Sequence, residues 1–494
     1  MISFPLLAID LLSENLPLLL SILIFAAVLV SKLGSRFGVP SLLLFLLLGM
    51  AAGADGLGLH FDNYKTAESI GHFAMTVILF TAGLETSLDE TKPVFRQGVL
   101  LSTLGVILTV LFTGLFIYLV PGKSFAAPLL GCFLLAAVMG STDSASVFSV
   151  LRGKKLLLRE RLGPMLELES GSNDPMAYTL TIILVQVLSA QREAATEGWR
   201  TALEAVGLFF LQLAIGVAVG LAVGFAVKWA LGRIRLPGGS LYSILILSIG
   251  FFTNGIAVLL HGNGLLAIYI TAIIIGNRTD IPHRKEILNF FDGMTWLMQL
   301  IMFLMLGLLA RPSQMLPLVV PALLIALFLI FIARPAGVLL CLLPFREQSF
   351  RAKVYTSWVG LKGAGPILFA LCPVVAGLES SSEIFNIVFL VSLISLLLQG
   401  MTLGPVAKRL RLTYEEDAKV ETFGMEVPEE MGMLRDHIVS EDDLLDGSTL
   451  RDLHLPHGIR VMMVRRGDRF LVPHGSMPLQ TGDRLIIIMG ESDD

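Results

Sequence analysis

The sequence predicts an all-α polytopic membrane protein of about thirteen transmembrane helices, followed by a small α/β domain. Three observations carry this: the composition, the spacing of apolar segments, and the alternation of charge between the loops that join them. Of 494 residues, 54% are hydrophobic and only 15% are charged, where soluble domains carry about a quarter charged residues. The mean hydropathy of +0.78 points the same way. A bilayer absorbs that much apolar surface, and a core of soluble type does not.

A spanning helix needs about 20 predominantly apolar residues. Thirteen segments meet or approach this, at 15–34, 39–58, 66–87, 97–120, 126–150, 163–188, 203–228, 239–260, 263–277, 287–310, 315–343, 351–376 and 382–404. The ninth is short and fits a tilted or partly re-entrant piece. The loops after the odd-numbered spans hold 21 Lys and Arg, from Lys32 and Arg36 to Lys408, Arg409 and Arg411. The opposite loops hold 5, namely Lys65, Lys123, Arg192, Arg200 and Arg311. Positive loops stay on the cytoplasmic side, so the N-terminus is expected outside and the C-terminus inside. A miscounted span would scramble this parity.

Other classes recede on composition and motif. The net charge of −4 is small and implies no nucleic-acid partner. Cys132, Cys341 and Cys372 all fall in apolar runs and read as packing residues. There is no zinc spacing, no phosphate-binding loop and no Gly-x-Gly-x-x-Gly fingerprint after a strand, so an ATP-driven pump is disfavoured and no cofactor is expected. The N-terminus lacks a basic n-region and does not read as a cleaved signal peptide.

Hydropathy collapses after Leu410. Residues 1–411 form the membrane domain, 412–430 a polar, acidic linker, and 431–494 a small cytoplasmic domain. β-like runs fall at Ile459 to Val464, Phe470 to Val472 and Leu485 to Met489, separated by turn residues such as Gly467-Asp468 and Gly482-Asp483. A unit of this size is marginal alone and suits dimerisation. Its "P-x-G…R-x-G…L-x-x-GD-x-L" layout resembles the C-terminal RCK-type subdomain of potassium transporters and channels. No Rossmann half precedes it, so nucleotide binding is not implied, although a small regulatory ligand is compatible with the resemblance.

Ionisable residues at membrane depth are costly and read as functional. Span five holds Asp143 within "GSTDSASVF", a poor composition for a continuous helix. Span six holds "LELESGSNDP", in which Glu167, Ser170 and Asp174 share one helix face. Glu169 and Asn173 lie on a neighbouring face. Span twelve holds "WVGLKGAGP", with Lys362 roughly 16 Å from the cytoplasmic end at 1.5 Å per residue. Two carboxylates beside hydroxyls and an Asn make an oxygen cage of the kind hard cations require. Glu169 reads instead as a structural partner for Lys362, since an unpaired charge there is very costly. Glu167 sits near the interface and is open to either a site role or a solvated one. Arg334 in span eleven is too deep to snorkel fully. His72 in span three reads as a packed helix histidine rather than a pH sensor.

Spans five and twelve are the two interrupted segments. They are seven spans apart and so run in opposite directions. Spans one to six and eight to thirteen therefore read as inverted repeats, with span seven as linker and the broken element fifth in each. Interrupted helices at matching positions point to a transporter's binding site.

At these residues the chain resembles NhaP-type cation/proton antiporters, and within them the potassium/proton branch linked to cell-volume regulation. The carriers are Thr142-Asp143, Glu169-Ser170-x-x-Asn173-Asp174 and the "GL-[RK]-GA-x-P" segment around Lys362. The resemblance implies an NhaA-like antiporter fold with Asp174 as the shared proton and cation ligand. It also implies that Asp143, Ser170 and the Thr142 carbonyl help coordinate the ion, and that Asn173 beside Asp174 goes with electroneutral exchange. Two departures stand out. Thr81 occupies the place of the family's usual span-three acid, with Glu85 the nearest acid one turn on. Lys362 stands where the family usually has Arg, and cannot make a bidentate pair.

The expected function is a secondary antiporter, not an enzyme, exchanging K⁺ or Na⁺ for H⁺ across an inner membrane as a homodimer, in the service of pH and volume homeostasis. The rival readings are an RCK-regulated potassium channel and a non-transporting sensor. The chain lacks a carbonyl-filter string of the Thr-Val-Gly-Tyr-Gly kind.

Overall fold

A computed structural model describes residues 16–37, 40–119, 128–153, 156–193, 198–278, 283–415, 434–439, 449–453, 459–466 and 469–489. Lys123, Lys154, Lys155, the linker beyond Glu415 and the Gly467-Asp468 turn lie outside them. The chain divides into two compact units, Met1–Tyr414 and Glu415–Asp494.

The first unit is helical. In order it contains α1 (Leu16–Phe37), α2 (Ser41–Ala52), α3 (Tyr64–Glu85), α4 (Leu88–Leu119), α5 (Leu129–Val138), α6 (Ser144–Gly153), α7 (Leu162–Glu193) and α8 (Gly198–Leu231). There follow α9 (Gly239–Leu259), α10 (Gly264–Arg278), α11 (Arg284–Leu309), α12 (Pro312–Leu342), α13 (Phe350–Trp358), α14 (Ala364–Val375) and α15 (Ser381–Arg409). Seven of the described helices, α3, α4, α8, α9, α11, α12 and α15, contain a stretch long and apolar enough to cross a membrane. α2, α5, α10 and α14 and most of α1 are shorter apolar helices. α7 carries the intramembrane acids. With α5/α6 and α13/α14 each counted as one broken span, the helices follow the thirteen predicted segments in order.

Local chemistry sets several of the ends. Asn63 caps α3, its Oδ1 accepting from Thr66 N at 3.0 Å, and Ser349 caps α13 through Ala352 N at 3.1 Å; each satisfies a backbone donor the helix leaves free. Close packing relies on small residues where backbones meet. A Cβ on Gly49 of α2 would collide with the backbone of Leu304 and Gly307 in α11, and one on Gly307 with Leu46 and Gly49. Side chains large enough to keep the helices apart are excluded there. Phe210, Phe225 and Trp229 of α8 point outward and are half exposed or more, a belt that only a hydrocarbon solvent makes stable.

Helix defects recur at one matching position of the two sets, and α15 carries a further π turn at Leu396–Gly400 that α7 lacks. α4 and α12, the fourth members of the two sets, each contain one π turn, at Leu101–Gly105 and Leu329–Ala333. A single π turn inside an α-helix recurs at functional positions, and Arg334 immediately follows the second.

The described part of the second unit is a four-stranded antiparallel sheet. Its strands are β1 (Leu434–Ile438), β2 (Ile459–Arg466), β3 (Arg469–Leu471) and β4 (Arg484–Met489), in the order β1-β4-β2-β3. The three predicted runs are β2, β3 and β4. Val439, Leu453, Val464, Met477, Leu479 and Leu485 form its small core. Arg466 clamps Asp483 with Nε at 2.9 Å and a terminal nitrogen at 2.7 Å. The Arg466 guanidinium holds the Asp483 carboxyl below the usual carboxylate range.

Candidate functional site

Both broken spans lose helical geometry at their Gly- and polar-rich centres, residues 139–143 and 359–363. The two gaps cross. Asp143 N donates to Leu361 O at 2.9 Å, and Lys362 Nζ donates to Ser141 O at 2.7 Å. Backbone groups freed by one broken helix are thus satisfied by the other, which is what allows irregular backbone inside a bilayer. The approach is close: a Cβ on Gly363 would run into the Asp143 side chain. The crossing is braced by α15. Ser395 Oγ accepts from Lys362 N at 2.9 Å and donates to Gln399 Oε1 at 2.5 Å, and Gln399 Nε2 donates to Trp358 O at 2.7 Å.

The five residues expected to hold the ion come together at this crossing. Ser170 Oγ donates to the Thr142 carbonyl at 2.6 Å. Asn173 is matched to Thr142 twice, Nδ2 donating to Oγ1 at 2.5 Å and Oδ1 accepting from the backbone N–H at 3.3 Å. Asp143 caps α6, with Ser146 N at 2.9 Å from Oδ1 and Ser146 Oγ at 2.5 Å from Oδ2. Thr142, Ser170 and Asn173 are buried, whereas Asp143 and Asp174 are only half-buried. The reason is a cavity of about 40 Å³ onto which both carboxylates open. Ser141, Thr142, Gln299, Gly365 and Pro366 share its wall. A cavity of this measure needs about 10–15 Å³ to hold one water, so the space suits a small ion or a few waters. Two carboxylates facing one small cavity need a counter-charge, and either a proton or a cation supplies it.

The ion-pair expectation needs correction. Glu169 pairs with Arg334, not with Lys362, and both partners are buried. Lys362, equally buried, spends its ammonium on the Ser141 carbonyl. The guanidinium comes from span eleven, where the π turn at Leu329–Ala333 precedes Arg334. Lys362 instead reaches across the gap as a compact point donor to a carbonyl, a task that suits an ammonium better than a planar fork.

The accessory residues separate. Thr81 is buried and accepts from Thr295 Oγ1 at 2.9 Å, but neither it nor Glu85 lines the cavity. Glu85 is exposed at the last turn of α3. α3 contributes Met75 and Ile78 to the cavity wall instead. Glu167 is half-buried in the electrostatic neighbourhood of Tyr269. His72 packs edge-on against Tyr178, ring centroids 5.0 Å apart. Ser141, Ser146, Gln299, Ser395, Gln399 and Gly363 were not singled out from the sequence. The two glutamines at membrane depth carried a signal, since a buried amide also needs partners.

Residues 19–409 match the family described as sodium/hydrogen exchanger, transmembrane, and residues 434–493 match the TrkA-C domain. The chain is similar to the K(+)/H(+) antiporter NhaP2 of Shewanella oneidensis, at 37% identity over 95% of this chain and 80% of that one. It is also similar to the K(+)/H(+) antiporter NhaP of Alkalimonas amylolytica, at 34% identity over 96% and 81%. Among solved structures, the sodium proton antiporter MjNhaP1 of Methanocaldococcus jannaschii superposes with a TM-score of 0.66 over 79% of this chain and 97% of that one, at 22% identity, and so shares the fold. With the family match spanning residues 19–409 of 494, the chain belongs to the sodium/hydrogen exchanger family of cation/proton antiporters and carries a C-terminal TrkA-C domain.

Proposed function

We propose that this protein exchanges K⁺ for H⁺ across a bacterial inner membrane by alternating access, with Asp174 as the group that carries either ion. The observation that carries this reading is the meeting of Asp143 and Asp174 at one small cavity on the crossing of two broken helices. Asp174 supplies the exchangeable charge, and Asp143 shares it. The Thr142 carbonyl and Ser170 hydroxyl, 2.6 Å apart, supply neutral oxygens. Asn173 is not free to ionise and holds Thr142 in place. One exchangeable charge serving two cargoes of equal charge makes the cycle electroneutral. The names of the relatives favour K⁺; Na⁺ is the alternative cargo, since ion radius is chosen by cage dimensions.

Spans five, six, twelve and thirteen move as a core against a dimerising scaffold formed by the other helices. The N-terminus lies outside and the C-terminus inside, on the evidence of the loop charges, and the TrkA-C domain takes a small ligand that sets the rate. Family membership disfavours the channel reading.

The test is proton movement in proteoliposomes loaded with a pH dye, with K⁺, Na⁺ and Li⁺ added in turn and the membrane potential clamped or free. K⁺-dependent proton flux that is indifferent to the clamp is expected. Flux that follows the imposed potential would overturn electroneutrality, and no response to any cation would overturn the antiporter reading.

A further inference from the structure

Met75 from α3, Asp174 from α7 and Pro366 from α14 are among the residues lining the ion cavity. About one turn further along each helix, all toward the same membrane face, lie His72, Tyr178 and Phe369. These three rings form a packed layer. The His72 and Tyr178 centroids are 5.0 Å apart at 75°, and Tyr178 and Phe369 are 5.4 Å apart. Another turn out lie Glu68 on α3 and Cys372 on α14, close enough for the Cys372 thiol to act on the Glu68 carboxyl. Glu68 and His72 are spaced i, i+4 and share a helix face. Tyr178 lies in the electrostatic reach of both Glu68 and Cys372.

Cys372 is buried, while Glu68, His72 and Tyr178 are half-buried. Lys65, one turn before Glu68 and exposed, is the positive charge that acts on it. The charged and titratable groups facing this column are therefore Lys65 and Glu68 from α3, Tyr178 from α7 and Cys372 from α14. Around it, Leu368 fills the space above Gly71 and Phe73 stacks on Phe251 of α9, while Thr76 Oγ1 donates to His72 O at 2.8 Å and Asn254 Nδ2 of α9 donates to Thr76 Oγ1 at 3.4 Å. A column of titratable groups rising from a half-buried carboxylate towards the ion site is costly at membrane depth, because each polar group loses solvation there.

We propose that Glu68 and His72 form the proton-access route between Asp174 and the membrane face at which α3 begins, with Tyr178 holding the His72 ring over the route. In the inward direction Glu68 takes a proton from water and passes it to the neutral His72 imidazole. The imidazolium then gives its other ring proton to the Asp174 carboxylate when the core turns toward that face. Glu68 is left ionised and His72 neutral in its other tautomer, so one proton has moved, and a ring flip of His72 resets the relay for the next. The inference rests on the proposed antiport at Asp174.

The experiment is exchange in proteoliposomes of known orientation, with pH varied on one face at a time and K⁺ saturating. Wild type run in parallel isolates failure of antiport itself. His72→Gln and Glu68→Gln are each expected to slow exchange about tenfold, a typical general acid–base contribution being at least that. They should flatten its dependence on pH at the α3 N-terminal face only, with the K⁺ concentration for half-maximal rate unchanged. Glu68→Asp should restore most of the rate, and Phe369→Leu, which disturbs packing without removing a proton carrier, should leave the pH profile in place. Unaltered pH profiles in His72→Gln and Glu68→Gln would overturn the relay. So would a flattening that Phe369→Leu reproduces, since it would reduce the column to packing.

Discussion

Breaking the Glu169–Arg334 pair is the most informative perturbation of the helix core. Both side chains are buried, at 1% and 3% exposure. Removing one partner of such a pair costs about 3–5 kcal/mol, because the other charge is left uncompensated in low dielectric. Glu169 Oε2 and Arg334 Nε have no hydrogen-bond partner among the described residues, so the contact is single rather than fork-on-fork and the lower end applies. Against that, buried Lys362 lies close enough to feel both charges, and loss of Glu169 would leave two cations facing each other. Glu169→Gln is therefore expected to cost about 3 kcal/mol, roughly a hundredfold in the folded population. Arg334→Met should cost a similar amount. The double variant Glu169→Gln with Arg334→Met removes both charges and should recover at least about 2 kcal/mol relative to the sum of the two single losses, since residues in one network couple by up to about 3 kcal/mol. The assay is thermal unfolding in detergent followed by the monodisperse fraction. Strictly additive losses in the double variant would refute the pairing.

Other consequences follow from neighbouring contacts. Gly363→Ala should displace the Asp143 side chain and raise the K⁺ concentration for half-maximal exchange by about tenfold, as small misplacements at a reacting centre do; an unchanged concentration would separate Gly363 from the site. Gln399→Leu strips Trp358 O of its donor and Ser395 Oγ of its acceptor, and should cost about 1–3 kcal/mol of stability by the same unfolding assay. In the TrkA-C domain, Arg466 depresses the Asp483 carboxyl, so this contact stabilises the fold above the ordinary carboxylate pKa of about 4 and is lost as pH falls through the lower folded value. Hydrogen exchange of residues 484–489 in the full chain should be faster in Asp483→Asn at neutral pH, with the difference closing below about pH 4.

Much of this was legible in the sequence because the bilayer imposes simple rules. Span length, loop charge and the interruption of spans five and twelve are each fixed by backbone satisfaction and by charge cost. Thr142, Asp143, Ser170, Asn173 and Asp174 could be singled out because polar groups at membrane depth are costly, and the structure brings them to one crossing. The partner of Glu169 was not. Arg334 and Lys362 both offer a buried positive charge, and helix periodicity does not say which of two cations on different helices faces a given acid. That choice depends on how α12 rotates after its π turn, a tertiary result. The bracing of the crossing by Ser395 and Gln399 was hidden for a related reason: neutral side chains in an apolar run look like tolerated exceptions until the carbonyl they serve is located. The tail's strands were readable from alternation, but their order β1-β4-β2-β3 is set by pairings distant in sequence.

The central claim is that Asp174 holds a proton or a cation but not both. The most direct measurement is proton release from purified protein in weakly buffered detergent as K⁺ is titrated in, with bound K⁺ counted in parallel by equilibrium binding. About one proton should leave for each cation bound, because the cation replaces the proton as counter-charge on the carboxylate pair, and Asp174→Asn should lose both signals while remaining monodisperse. K⁺ binding without proton release in the wild-type protein, or undiminished release in Asp174→Asn, would contradict the account.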